Sequence, residues 1–168
     1  MKRIAVLIAF AVFLMLPIFG CSQSPYTEEV SSGNASFKYE SGWGAVEYEN
    51  DSPMFGNLYL FEEVNVRQND GYAVIGIKQF YFDDVTVNKV TAEMNAMGLT
   101  SKQGEKDGVQ TVTYSGTFMD GAYISVYMLS VDGDHARTLV TFDCLAEQYK
   151  GNQEYYDGML GTVHFNKE

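Results

Sequence analysis

Hydrophobic and polar residues alternate in three runs of the second half of the chain: Val109–Thr117, Ala122–Val131 and Ala136–Leu145. A period of two predicts a β-strand in each run. Asp120-Gly121 and Asp132-Gly133 separate the runs, and both pairs are typical of tight hairpin turns. Because short turns join neighbouring strands directly, the three runs are predicted to form a consecutive antiparallel meander.

The middle strand of this meander has two apolar faces. One face carries Ile124, Val126 and Met128, and the other carries Tyr123, Tyr127 and Leu129. We expect the first set to pack with Val140 and Phe142 of the next strand. Since both faces are apolar, each needs a covering layer.

The first half of the chain predicts shorter strands, and polar segments separate them. The predicted strands are Phe37–Tyr39, Ala45–Glu49, Leu58–Val66 and Tyr72–Phe82. In Leu58–Val66, strict alternation places Leu58, Leu60, Val64 and Val66 on one face. Residues Leu99–Gly108 are polar and lack a hydrophobic period, so they are predicted to form a loop.

Two segments have helical spacing. Val87, Val90, Met94 and Met97 share one face of a predicted helix Asp84–Gly98, with Asp84 as its N-cap. The segment from Tyr149 to Val163 predicts a second helix, which its glycines weaken and which is expected to break near Gly151. We expect this weaker helix to cover the tyrosine face of the meander. His164-Phe165 is expected to close the domain as a short strand or docked tail.

The first residues are typical of a secretory signal peptide rather than of a fold. Lys2 and Arg3 precede an apolar run from Ile4 to Phe19. Ile18-Phe19-Gly20-Cys21 resembles the lipobox of bacterial lipoproteins, a family in which the cysteine receives a diacylglycerol and becomes the new N-terminus. The expected organisation is a leader over 1–20, lipidation at Cys21, a flexible tether over 21–36 and one domain over 37–168. An uncleaved membrane span and an unlipidated secretory signal are the alternatives.

Composition narrows the classes of partner. The whole chain has a formal net charge of −11, and cleavage after residue 20 removes Lys2 and Arg3, which gives −13. This acidity argues against binding to nucleic acid and against lying flat on an anionic bilayer. The leader and the lipobox resemblance imply a domain anchored by its lipid at the extracytoplasmic side of a cell membrane.

Residues that could carry chemistry are few, and each fits a structural role. Asp132-Gly133-Asp134-His135 resembles a fragment of a metal site, but the same residues suit a hairpin turn. Glu62 and Glu63 cannot form one catalytic site, because adjacent strand residues point to opposite faces. Asp83-Asp84 is expected to cap the predicted helix. Cys144 is predicted to be a buried, inert thiol. We expect no enzyme activity, no metal and no cofactor.

Aromatic side chains are the remaining candidates for a site. Tyr114, Tyr123 and Tyr127 alternate along their strands, and Trp43 lies in a turn. Aromatic rings with polar tips suit a protein or ligand surface, yet they also serve as core beneath a helix. Both interpretations stay open, and the four residues are the predicted partner or ligand surface.

The order of these elements resembles the PsbP-like superfamily. The resemblance rests on the opening aromatic strand and turn Phe37–Trp43, the helix Asp84–Gly98, and the ending from Glu154-Tyr155-Tyr156 to Val163-His164-Phe165. It implies an α+β fold in which helices flank both faces of an antiparallel sheet, an α/β/α sandwich. It also implies a binding or assembly module for another envelope protein. The alternative function is a receptor for a small apolar or carbohydrate ligand held between sheet and helix.

Overall fold

The computed structural model describes residues 24–46, 58 and 60–167, except for the side chains of residues 61–63. The predicted leader, Cys21 and residues 47–49 of the predicted strand Ala45–Glu49 lie outside the described residues. Within this part, the strands are β1 (Glu28–Ser32), β2 (Ala35–Tyr39), β3 (Trp43–Ala45), β4 (Leu60–Gln68), β5 (Val74–Phe80), β6 (Thr100–Lys106), β7 (Val109–Phe118), β8 (Tyr123–Asp132), β9 (His135–Leu145) and β10 (His164–Phe165). The helices are α1 (Val87–Ala96), α2 (Ala146–Gly151) and α3 (Gln153–Gly161).

The predicted meander is confirmed and provides three strands of the main sheet, β7, β8 and β9. Seven described strands pair antiparallel in the order β3-β4-β5-β9-β8-β7-β6. Val126 lies opposite Phe142 and Met128 lies opposite Val140, as the alternation predicts. Gly121 and Gly133 have φ angles of 86° and 58°, a left-handed conformation that glycine adopts at little steric cost.

The prediction of a loop over Leu99–Gly108 is wrong. Thr100–Lys106 forms β6, which pairs with β7 along its whole length at the edge of the sheet. All residues of β6 but Lys106 are exposed, so this strand has no apolar face and no hydrophobic period. Backbone hydrogen bonds to β7, rather than packing of apolar side chains, keep this strand in the sheet. Asp107 and Gly108, with φ angles of 58° and 76°, form the tight turn between the two strands.

The predicted flexible tether is too long. Glu28–Ser32 forms β1, which pairs with β2, so the chain is already in a sheet eight residues before the predicted end of the tether. β10 adds a third strand through His164 opposite Ser36, which confirms the predicted strand at His164-Phe165. Ala35 and Ser36 are buried in this small sheet, and burial explains why a polar sequence is ordered here.

Two hydrophobic clusters lie within the described part of the fold. The first contains Val140, Phe142 and Cys144 of β9 with Phe37 of β2 and Tyr156 of α3. The second contains Leu139 of β9, Tyr114, Tyr127 and Leu129 of β7 and β8, and Val90 and Met94 of α1. Side chains alternate between the two faces of β9, so this strand contributes residues to both clusters.

A bulge in β4 overturns the predicted single face of Leu58–Val66. The register shifts between Glu62 and Val64, so one extra residue stands in β4 against β5. Leu60 consequently belongs to the second cluster, whereas Val66 belongs to the first. A period of two across the bulge could not predict this change of face.

The helices cover the sheet in the opposite order from the prediction. α1 has Thr86 as its N-cap in place of Asp84, and the Thr86 hydroxyl accepts a hydrogen bond from the Lys89 backbone N–H. Val90 and Met94 pack in the cluster that contains Tyr114 and Tyr127, so α1 and not the C-terminal helix lies on the tyrosine side. The C-terminal segment breaks at Gly151–Asn152, as predicted, and gives α2 and α3.

The described part of the chain is thus an α+β fold dominated by antiparallel sheet. A layer of helices on each face stays a prediction. Among the described helices, none is long and apolar enough to cross a membrane.

Candidate functional site

Most of the aromatic residues predicted as a surface are core residues. Tyr114 and Tyr127 have 0% of their surface exposed, and Trp43 has 5%. Tyr123, at the start of β8, is half-buried. The predicted surface of Tyr114 and Tyr127 is therefore wrong, because α1 packs over both rings. The Tyr114 hydroxyl lies 2.9 Å from the Thr91 hydroxyl of this helix.

The Tyr127 hydroxyl belongs to a polar group inside the sheet. It donates a hydrogen bond to Asp143 Oδ1 at 2.9 Å, and Ser125 Oγ donates to the same oxygen at 2.5 Å. Burial raises the pKa of the Asp143 carboxyl, while the two hydroxyls and the positive charge of Lys78 act in the opposite direction. Ser125 is fully buried and Lys78 is 4% exposed, whereas Asp143 is half-buried. The main role of this group is therefore to satisfy buried polar atoms.

Trp43 leads to a different set of tyrosines at the surface. Its indole Nε1–H donates a hydrogen bond to the Tyr155 hydroxyl at 2.8 Å. Tyr155 in turn donates to Glu40 Oε2 at 3.0 Å. Burial and the Glu40 carboxylate raise the pKa of Tyr155 to about 12, although the Trp43 hydrogen bond opposes them. Tyr155 is therefore a neutral donor at physiological pH, and Trp43 positions it from within the core.

Tyr26 packs against Tyr155 from the N-terminal segment. Its hydroxyl donates to the backbone carbonyl of Tyr155 at 2.5 Å, and the two ring centroids are 5.6 Å apart. Gly158 makes room for this contact, because a Cβ at that position would lie 2.4 Å from the Tyr26 hydroxyl. The chain is thus held at Tyr26, before β1 begins.

Tyr149 provides a third half-exposed ring. Its hydroxyl donates to Asp157 Oδ1 at 2.5 Å, and its ring stacks on Tyr156 with the centroids 5.8 Å apart and the planes at 11°. Burial and the Asp157 carboxylate raise the pKa of Tyr149 to about 12. Like Tyr155, this residue has a ring in a fixed position and a hydroxyl paired with a carboxylate.

Tyr156 holds the two helices to the sheet beneath these rings. It is fully buried, and its ring centroid lies 5.5 Å from that of Phe142. Its hydroxyl donates to Gln68 Oε1 at 2.8 Å and accepts from Gln148 Nε2 at 2.7 Å. Because α2, α3 and β4 are joined in this way, the exposed tyrosines rest on a rigid support.

We call Tyr26, Tyr149, Tyr155, Glu40 and Asp157 the tyrosine surface. It consists of two groups, Tyr149 with Asp157 and Tyr155 with Tyr26 and Glu40, and both groups contact the buried ring of Tyr156. The three rings are half-buried and the two carboxylates are exposed. Each carboxylate accepts a hydrogen bond from a tyrosine through one oxygen and can also interact with a cation. Aromatic faces next to carboxylates suit the recognition of Lys and Arg side chains, by cation–π contact and by charge-assisted hydrogen bonds.

The other candidate residues have structural roles. Asp132–His135 forms the predicted hairpin turn, in which Asp132 Oδ2 pairs with Arg137 at 2.6 Å and the pKa of Asp132 is lowered by that contact. Within the described residues, no group of three or more His, Cys, Asp or Glu side chains could hold a metal ion. Cys144 is buried, and burial raises its pKa to about 11. Since only the thiolate is nucleophilic, this cysteine is inert at neutral pH.

An open cleft of about 260 Å³ lies at the C-terminal end of β5. Its lining is mainly polar and includes Gln79, Asp83, Arg137 and Thr138, with Phe80 and Phe82 beside them. Gln79 Nε2 donates to the Thr138 hydroxyl at 3.3 Å across the cleft floor. None of the residues of the tyrosine surface lines this cleft.

Sequence reasoning missed Tyr26, Tyr149 and Tyr155 as site residues. Tyr149 and Tyr156 are seven residues apart and share a helical face, which is a core signal. Tyr155 directly precedes Tyr156, so its side chain leaves the helix about 100° away from the core face. This offset is the signal in the sequence that could have predicted its exposure. Tyr26 carried no signal, because a single tyrosine in a polar segment does not reveal its distant partner.

Comparison with known proteins supports the fold. No protein-family model matches the sequence, and no curated protein matches it. The solution structure of CyanoP, the cyanobacterial PsbP of Synechocystis sp. PCC 6803, matches with a TM-score of 0.54 and 16% identity, over 90% of this chain and 99% of that chain. A crystal structure from Bacteroides thetaiotaomicron VPI-5482 matches with a TM-score of 0.48 and 14% identity, over 85% of this chain and 50% of that chain.

The similarity to CyanoP shows that this chain has a PsbP-like fold. At this level of identity it shows the fold alone, because one fold serves many functions.

Proposed function

We propose that this protein is a lipid-anchored module that binds another protein of the cell envelope, on the extracytoplasmic side of the membrane, and that it is not an enzyme. The anchor is a diacylglycerol on Cys21, within the lipobox-like sequence Ile18–Cys21. The observation that carries the binding role is the tyrosine surface. We further propose that helices cover both faces of the main sheet, since α1 and α3 contribute to different hydrophobic clusters.

The tyrosine surface has the properties of an interface centre. Tyrosine supplies a large contact area and loses little rotamer freedom on binding, which is why it is enriched at protein interfaces. Here the stacking of Tyr149 on Tyr156 and the hydrogen bond from Trp43 to Tyr155 already restrict both rings. Binding therefore needs little further ordering of these side chains.

The expected partner presents a basic segment. Glu40 and Asp157 lie beside the rings, and the whole chain has twice as many acidic as basic residues, 22 against 11. A field of this sign accelerates encounter with a positively charged surface and weakens as salt increases. The association is accordingly expected to be salt-sensitive.

The alternative function, a receptor for a small ligand between sheet and helix, has less support. Fully buried side chains occupy the space between α1 and the sheet, among them Val90, Met94, Tyr114 and Tyr127. The cleft beside Arg137 is open and mainly polar, so it suits an apolar ligand poorly. The binding-module proposal is therefore preferred.

Capture of the partner tests this proposal. The lipidated protein is chemically cross-linked in its own membranes, purified, and analysed by quantitative mass spectrometry. Tyr149→Ala should reduce the captured partner about tenfold or more, as loss of a central interface tyrosine commonly does. Asp157→Asn should reduce capture less and should weaken its dependence on salt.

Tyr81→Ala is the matched control, because Tyr81 is 52% exposed and directly follows the last residue of β5, outside the tyrosine surface. It should leave capture unchanged, and circular dichroism should show that all three variants are folded. Equal capture by Tyr149→Ala and Tyr81→Ala would contradict the proposed role of the tyrosine surface.

A further inference from the structure

Two large apolar side chains are exposed at the tips of hairpins. Tyr72, between β4 and β5, is 58% exposed, and Met119, between β7 and β8, is 62% exposed. Packing within the described fold leaves more than half of each side chain in solvent. A hairpin tip that ends in an apolar side chain can contact a partner without any change of the core.

The two hairpin tips lie at one end of the main sheet, on either side of α2. The Tyr72 backbone N–H donates a hydrogen bond to Gln148 Oε1 of α2 at 3.0 Å. The Ala146 backbone N–H, at the start of α2, donates to the Ala122 carbonyl at 2.9 Å. α2 therefore bridges the β4–β5 hairpin and the β7–β8 hairpin. We call this end, with Tyr72 and Met119, the hairpin end.

The N-terminal segment enters the fold at the hairpin end as well. Glu28, the first residue of β1, lies opposite Tyr39, the last residue of β2. From there the chain reaches Trp43, which lies opposite Gln68 at the base of the β4–β5 hairpin. Tyr26 is held two residues before β1 by Tyr155, the hydrogen-bond partner of Trp43.

The docking of Tyr26 shortens the connection to the proposed lipid. Tyr26 is five positions after Cys21 in the sequence, and a fully extended chain spans at most about 3.5 Å per residue, or about 17 Å in all. The hairpin end is thus kept close to the surface that holds the lipid. A longer tether, as the sequence alone predicts, would impose no such orientation.

We propose that the hairpin end contacts the interface of the bilayer that holds the Cys21 lipid, with Tyr72 and Met119 in the headgroup region. This inference rests on the proposed lipid anchor. Tyrosine suits this position because its ring is apolar and its hydroxyl is polar. Arg67 lies over the Tyr72 ring at 5.9 Å, and its guanidinium can pair with a lipid phosphate.

The contact is weak by itself and depends on the anchor. Two side chains do not hold a domain on a membrane, but a short tether gives them a high effective concentration at the surface. The acidic residues Asp70, Asp120 and Glu147 belong to the same end. They disfavour anionic headgroups, so the bilayer that fits is one with zwitterionic headgroups.

Quenching by brominated phosphatidylcholine tests the orientation. The full lipidated protein is reconstituted in vesicles of this lipid as the variants Tyr72→Trp and Tyr81→Trp, with wild type giving the background from Trp43. The new indole of Tyr72→Trp should lose about half of its fluorescence relative to vesicles without bromine. That of Tyr81→Trp, beyond the other end of β5, should be unchanged.

A second pair of variants tests the role of Tyr26. Gly158→Ala places a Cβ against the Tyr26 hydroxyl, whereas Gly161→Ala in the same helix meets no neighbour within 4 Å. In the Tyr72→Trp background, Gly158→Ala should reduce quenching and Gly161→Ala should not. Equal effects of the two substitutions would overturn the role of Tyr26.

The outcomes separate the orientation from the anchor. Vesicle flotation reports the anchor, and protein that does not float overturns both the lipid anchor and this inference. Protein that floats but shows equal quenching of Tyr72→Trp and Tyr81→Trp, or stronger quenching of Tyr81→Trp, overturns the orientation alone. The ratio of partner captured by Tyr149→Ala to that captured by wild type is a separate readout, and it does not depend on the orientation of the hairpin end.

Discussion

Tyr127→Ala is expected to lower the free energy of unfolding by about 3–5 kcal/mol, the range for a large aromatic side chain deleted from a core. Tyr127 is 0% exposed and packs with Tyr114, Leu139 and α1 residues in the second hydrophobic cluster. The substitution also removes a hydrogen-bond donor to Asp143. Urea denaturation of the mature domain measures the change.

Tyr123→Ala is the matched control for Tyr127→Ala. Tyr123 lies on the same strand and the same face, but it is only half-buried. We expect it to cost about 1 kcal/mol, as a typical single substitution does. If both substitutions destabilise the protein equally, Tyr127 is not the core residue that the structure describes.

Asp143→Ala is expected to cost about 2–4 kcal/mol. Ser125 and Tyr127 both donate to Asp143 Oδ1, and each buried donor that loses its acceptor costs about 1–3 kcal/mol. Asp132→Ala is the control at an exposed carboxylate and should have little effect. Equal stability of these two variants would show that the buried hydroxyls do not depend on Asp143.

Asp143→Asn tests the protonation of the same group. Burial raises the pKa of Asp143 above its ordinary value of 3.8. The carboxyl therefore contributes stability that is complete below pH 3.8 and is lost as the pH rises through the raised pKa. Asp143→Asn keeps an oxygen acceptor but cannot ionise, so its stability relative to wild type should increase between pH 4 and pH 8.

Urea denaturation of Asp143→Asn and wild type at both pH values measures this difference. A constant difference would contradict the desolvation of the carboxyl. A difference of the opposite sign would show that Lys78, which lowers the pKa of Asp143, outweighs burial.

Local pattern was enough to predict the meander and α1. In β7, β8 and β9 the alternation of apolar residues coincides with the pairing observed between them. In α1 the spacing of Val90 and Met94 coincides with the buried side of the helix. Each signal lies within a run of about ten residues, and each agrees with the tertiary structure.

Elements that depend on distant neighbours could not be predicted in this way. Strand β6 is polar on both faces and is held by its pairing with β7. The face that each helix covers depends on the path of the whole chain, and the bulge in β4 moves Val66 to the other face from Leu60. None of these features has a local hydrophobic period.

The candidate site follows the same rule. Trp43 was predicted as a site residue, but it lies in the core and positions a site residue instead. It does so by its hydrogen bond to Tyr155, which is 112 positions further along the chain. The exposed rings are recognisable only once α2 and α3 are placed against β9. Contacts between distant segments therefore determine which aromatic residues are core and which are surface.

The intact mass and the N-terminal peptide of the protein, purified from its own membranes, test the proposed lipid anchor of this PsbP-like fold. We expect that Cys21 is the first residue and carries a diacylglycerol, and that Cys21→Ser prevents both cleavage and lipidation. A mature protein that keeps residues 1–20, or that begins elsewhere with an unmodified Cys21, would contradict this expectation.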